Sequence, residues 1–240
     1  AMLLALALTA VWTGATQAQP YYARGEFYAG SVGTWGYEPG NQIFDDGLHG
    51  DGAAGDGIYA GDVTSDQAPG FYNWKVGNAD WTQNWPLNPN YPIMNARLFT
   101  SVAGEVIRFR LDLNPRPGWQ PVTGAVACDH PTAPGIELEI CGSDPETGSW
   151  TTGVPAMLVG GVWTTVVHIA TAGTHEFKFR SAGSWDWAFG VHYNMLIGDN
   201  FSYTTTVPGT AVRFEFDTRD GRGRALEYDE TPAYSTSWGR

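Results

Sequence analysis

Within its 240 residues the chain reads nearly the same text twice. Residues 104–112 run Gly-Glu-Val-Ile-Arg-Phe-Arg-Leu-Asp and residues 209–217 run Gly-Thr-Ala-Val-Arg-Phe-Glu-Phe-Asp, with Gly, Arg, Phe and Asp in register. An Asn stands nine positions before each of these glycines, at Asn95 and Asn200. Upstream, Gly70 to Val76 answers Gly173 to Phe179, so the chain's lysines, Lys75 and Lys178, hold equivalent places. Ala79-Asp80-Trp81 answers Gly183-Ser184-Trp185, and Gly57-Ile58-Tyr59-Ala60 answers Gly161-Val162-Trp163-Thr164. Ordered matches spread over about 100 residues mark a tandem duplication of one structural unit. The expected division is an apolar N-terminal segment over 1–20, a first module over 21–122, a linker over 123–133, a second module over 134–230 and a C-terminal tail over 231–240. The linker falls inside the Pro/Gly-rich stretch from Asn114 to Gly135.

Each module reads as short strands. Val106, Arg108, Arg110 and Asp112 alternate with Ile107, Phe109 and Leu111, a period of two that covers one face of a sheet. Val212, Phe214 and Phe216 repeat the pattern against Arg213, Glu215 and Asp217. After residue 20 no segment keeps a helical period. Composition agrees: 31 Gly and 15 Pro supply turns, 11 each of Trp, Tyr and Phe supply flat apolar bulk, and only 16% of residues are charged. The expected fold class is all-β, two tandem immunoglobulin-like sandwiches. A formal charge of −12 argues against nucleic acid or an anionic membrane surface as the partner, since both attract basic patches.

The order Gly-x-Tyr-x-Trp-Lys at Gly70 to Lys75, answered by Gly-x-His-x-Phe-Lys at Gly173 to Lys178, is followed by Asp80-Trp81 or Ser184-Trp185, then Asn95 or Asn200, then the Arg-Phe-x-Leu/Phe-Asp strand. Over most of 21–230 this resembles the immunoglobulin-like accessory modules beside the catalytic domains of bacterial pullulanases, and it is similar to modules of outer-surface starch-binding proteins. The resemblance implies a sandwich of seven or eight strands and contact with α-glucan. It implies no catalysis, because in that family hydrolysis belongs to a separate barrel domain.

The Trp-rich loops are the candidate glycan site, with Trp81 and Trp85 in the first module and Trp185 and Trp187 in the second. Aromatic faces stack on the apolar faces of sugar rings while neighbouring amides and carboxylates bond hydroxyls. The resemblance adds Asn95 and Asn200. The same tryptophans also suit core packing or subunit contact, and that alternative stays open. The acidic loop from Asp45 to Gly57 offers Asp45, Asp46, Asp51 and Asp56 as hard oxygen ligands for Ca²⁺, against a competing reading as Asp-Gly turns. No cofactor is otherwise expected. Cys128 and Cys141 are the chain's two cysteines, and in an exported chain an even pair reads as a disulfide. Five scattered histidines form no metal or nucleophile motif, so no enzyme activity is expected.

The N-terminal run leaves two readings open. Residues 1–18 fit a secretory signal peptide cleaved after Thr16-Gln17-Ala18. Retained, the segment is too short to cross a bilayer, which takes roughly 20 residues. Met2, Leu3, Leu4, Leu6, Leu8, Val11 and Trp12 would then have to be buried in a neighbouring copy, as a helix or as a donated strand. The first functional expectation is therefore an extracellular or cell-surface structural protein that polymerises with copies of itself into a filament, tube or surface layer. The alternative is a secreted protein that binds polysaccharide, α-glucan by the resemblance, through its Trp loops.

Overall fold

The computed structural model describes residues 19–86, 95–194 and 200–228. The assembly residues Met2 to Trp12 and the tail 231–240 lie outside them. Seventeen strands and two single-turn 3-10 segments make up the described structure. The N-terminal half holds β1 (Tyr21–Gly25), β2 (Gln42–Ile43), β3 (Ile58–Thr64), β4 (Gly70–Gly77), β5 (Asn84–Trp85), β6 (Ala96–Thr100), β7 (Val106–Asp112) and β8 (Ala125–Cys128). The C-terminal half holds β9 (Leu138–Gly142), β10 (Val154–Pro155), β11 (Met157–Val159), β12 (Val162–Ile169), β13 (Gly173–Ser181), β14 (Ala188–Phe189), β15 (Phe201–Thr205), β16 (Thr210–Asp217) and β17 (Arg222–Glu227).

The repeat read in the sequence is a repeat of topology. β4 pairs with β1, β5 and β6, and β13 pairs with β9, β14 and β15. Opposite them lie sheets in the order β3-β7-β8 and β11-β12-β16-β17. All named pairings are antiparallel, and each half is an immunoglobulin-like sandwich as expected. Equivalent rings lock the two layers of each half. Trp74 meets Phe109 edge-on at 4.9 Å, and Phe177 meets Phe214 edge-on at 4.8 Å. Both lysines are buried, and Lys75 donates from Nζ to Asn84 Oδ1 at 3.1 Å and to the Pro86 carbonyl at 3.2 Å. Burial pulls the Lys75 pKa below its ordinary value. Among the described residues no helix is long and apolar enough to cross a membrane.

The stretch expected as a linker holds β8, which completes the N-terminal sheet by pairing with β7. Beyond it the halves share one apolar core. Trp74 contacts Tyr193 at 6.0 Å and Phe71 contacts Trp187 at 5.3 Å. Polar bonds reinforce the junction. Arg222, 1% exposed, donates to Asp112 at 2.8 Å and to the carbonyls of Asn114 and Pro121 at 2.9 and 3.1 Å. Arg116 pairs with Asp217 and Asp220. Burial raises the Asp217 pKa, but hydrogen bonds and charge from Arg219 and charge from Arg116 outweigh it and hold the carboxyl below its usual range. The turn carrying these groups needs Gly221: its φ is +74°, and a Cβ there would lie 2.1 Å from the Val126 carbonyl oxygen.

One edge is uncovered. β11 is the outermost strand of its sheet, and Met157, Leu158 and Val159 are all exposed.

Candidate functional site: twin tryptophan platforms

Each half carries two neighbouring tryptophans, one of them stacked on a buried arginine. In the N-terminal half Arg24 stands on β1, opposite Lys75 of β4. Its guanidinium is fixed by the carbonyls of Trp35 (2.8 Å) and Asn78 (2.8 Å). Trp81 lies on it with 3.7 Å between guanidinium carbon and ring centroid, and Trp35 lies 6.2 Å from Trp81. Gly77 makes this possible, because a Cβ there would sit 2.8 Å from the Trp81 ring and lift it off the strand. Asn78 braces the loop, accepting at Oδ1 from the Gln83 amide and donating from Nδ2 to Thr82 Oγ1. Burial lowers the Arg24 pKa, with Tyr37 and Tyr22 opposing it.

In the C-terminal half Arg180 of β13 faces Glu139 of β9 and donates to its Oε1 at 2.8 Å. Its Nη2 donates to the Thr151 carbonyl. Trp185, 41% exposed, lies over Arg180 at 4.4 Å, and Trp150 lies 6.3 Å from Trp185. Ser184 and Asp186 bond each other at its rim and are partly or fully exposed.

The correspondence extends to the backbone. The Trp35 amide bonds the carbonyl of Gly25, which ends β1, and the Trp150 amide bonds that of Gly142, which ends β9. Trp35 and Trp150 have φ of 66° and 64°, and Trp81 has 63°. A bulky residue in the left-handed region costs on the order of 1–3 kcal/mol and persists where the surroundings hold it. The buried guanidinium and its carbonyl partners supply that hold. Fixed, half-exposed aromatic faces with hydroxyl-bonding groups at their edges are what a sugar ring stacks upon.

The residues expected from sequence divide between this arrangement and packing. Trp81 and Trp185 are platform members. Trp85 packs edge-on against Tyr21 at 5.4 Å. Trp187 is 2% exposed, and its ring packs on Phe71 and Arg97 at the junction. Asn200 donates to Glu176, and Asn95 directly precedes β6. Trp35, Trp150, Arg24 and Arg180 escaped the sequence reading. The step from the strand-ending glycine to its tryptophan is ten residues in one half and eight in the other, and the arginine comes from different strands.

In the acidic loop the carboxylates serve as turn acceptors. Asp45 accepts from the amides of Gly55, Asp56 and Gly57, Asp46 from Leu48, Asp51 from Gly47, and Asp56 from Ala53 and Ile58. Among the described residues no group of three or more His, Cys, Asp or Glu side chains is placed to hold a metal ion. The expected disulfide is corrected: Cys128 and Cys141 are both free and buried. They belong to different sheets of different halves. Cys128 pairs with Phe109 and contacts Tyr193, while Cys141 pairs with Lys178 and donates from Sγ to the Thr152 carbonyl. Burial pushes the Cys128 thiol up to about 12.

No protein-family model and no curated protein matches the chain. Among solved structures it is similar to SusF from Bacteroides thetaiotaomicron at 16% identity and a TM-score of 0.29, covering 90% of this chain and 50% of that one. The chain thus spans half the length of that neighbour, and a likeness at this score carries no conclusion about fold or function.

Proposed function

We propose that this protein is a non-catalytic, extracellular carbohydrate-binding protein that holds neutral polysaccharide, α-glucan foremost, on its two tryptophan platforms. The observation that carries the reading is the duplication of the platform: two halves with different loop lengths and different arginine-bearing strands arrive at the same arrangement, one tryptophan on a buried cation and a second beside it. Stability alone gives no reason to hold Trp35 and Trp150 in strained backbone twice over. Each platform is a weak site, and two on one chain act at raised effective concentration on a repeating polymer. Trp35→Ala and Trp185→Ala should each weaken retention on insoluble starch by up to about tenfold, the worth of one ring stack. Retention by both variants equal to that of the parent rejects the site.

The open edge at β11 favours a second reading, self-assembly. Met157, Leu158 and Val159 present apolar side chains beside unpaired backbone groups, the arrangement that accepts an added strand. An extended apolar segment such as residues 2–12 of another copy would complete it, and the protein would be the subunit of a filament, tube or surface layer. Leu158→Lys and removal of residues 1–19 should each abolish polymers seen by electron microscopy. A truncated chain that assembles as well as the full one rejects this reading.

A further inference from the structure

One guanidinium plays no part in either platform or in the junction bonds. Arg110 lies on β7, on the face turned away from the core, directly between Ala60 of β3 and Ala127 of β8. Cross-strand neighbours on one face stand about 5 Å apart, so an arginine between two alanines lies in a trough. Its Nε is buried without a hydrogen-bond partner, and Arg110 forms no ion pair among the described residues. A buried donor left unsatisfied costs free energy.

The trough opens into a cavity of about 260 Å³ whose walls include Gly50, Arg108 and Asp129 from the N-terminal half and Thr218 and Arg219 from the C-terminal half. The other charges around it are engaged. Arg108 makes two 2.7 Å bonds to Asp62, and Arg219 makes two 2.8 Å bonds to Asp217. Asp129 accepts from the Arg108 amide and pairs with His130. Of the three guanidiniums in its walls, Arg110 is the one with no carboxylate partner among the described residues.

We infer that this cavity binds a ligand through a carboxylate, with Arg110 as the anchor and the ligand body no larger than a single hexuronate ring. The planar guanidinium presents paired donors that match a carboxylate's two oxygens. A monoanion suits a single unpaired guanidinium, whereas Asp62 and Asp129 oppose a dianion such as phosphate. The volume is below that of sites for drug-sized molecules, which start near roughly 300 Å³. Because both halves supply walls, the site exists only where the junction is formed, and it is independent of the tryptophan platforms.

The test is calorimetric titration of the full chain with sodium glucuronate, glucose, sodium acetate and inorganic phosphate. Glucuronate should bind in a way that depends on Arg110, whereas any heat from glucose, a ligand of the tryptophan platforms, should be the same in Arg110→Gln. Acetate binding as well as glucuronate identifies a free small acid as the source, and binding of uronates alone identifies an acidic sugar; either supports the carboxylate site. Arg110→Gln should weaken glucuronate binding roughly tenfold or more, the worth of a charge-assisted bond. Arg110→Met loses no internal partner, so it should melt at or above the parent temperature and serve as the folded control. Saturating glucuronate should raise the melting temperature of the parent and not that of Arg110→Met. Glucose binding that is lost in Arg110→Gln, tighter binding of phosphate, or full glucuronate affinity in a folded Arg110→Gln overturns the proposal.

Discussion

Replacing Arg222 by alanine should destabilise the protein by about 3–5 kcal/mol, because it strands a buried carboxylate. Arg222 is 1% exposed and satisfies Asp112 and three backbone carbonyls across the junction of the halves, and Asp220 within its own half. Arg222 is the ion-pair partner of Asp112, itself 7% exposed, among the described residues. For a chain of this size the loss corresponds to a fall of about 10 °C in melting temperature. The sign is separable from lost packing. Arg222→Met keeps the volume and should cost nearly as much, whereas Arg222→Met combined with Asp112→Leu removes both charges and should recover most of the loss. Thermal melts of the three variants decide it. A single-variant cost below about 1 kcal/mol would mean that the pair is not desolvated.

Trp74→Ala should cost a similar amount, about 3–5 kcal/mol, as expected for truncating a fully buried aromatic. Trp74 is 0% exposed and touches Phe109 within its own sandwich and Tyr193 across the junction. Trp74→Phe should fall within about 1.5 kcal/mol of the parent, since it keeps most of the ring volume. It also deletes an Nε1 donor that is buried without a partner. Chemical denaturation midpoints of the two variants should therefore separate widely. Equal losses would show that the indole nitrogen contributes to the native state.

Much of this architecture was legible in the residues. The Arg-Phe-x-Leu/Phe-Asp strands lie in register because backbone alternation is local, so β7 and β16 can be read directly. The equivalent lysines proved to be equivalent in space for the same reason. The platforms were legible only in part. Trp81 and Trp185 follow a repeated strand, but their companions Trp35 and Trp150 sit in loops of unequal length. Alignment of the repeats cannot bring Arg24 of β1 onto Arg180 of β13. Trp187 and Trp85 look identical to their neighbours in composition, and only tertiary packing distinguishes a ring that anchors the junction from one left half in water. The cysteine pair shows the same limit. Thirteen residues of separation permit a bridge, but the fold carries Cys128 and Cys141 into different halves, where both are free.

A duplicated chain is usually pictured as beads on a string, each free to turn. The continuous core through Trp74 and Tyr193 removes that freedom. The two aromatic faces are held like marks on a ruler, and a polymer whose repeat matches their spacing would settle on both without any further loss of freedom in the protein. The geometry of the molecule, rather than the strength of either face, would then select which polysaccharide it grips.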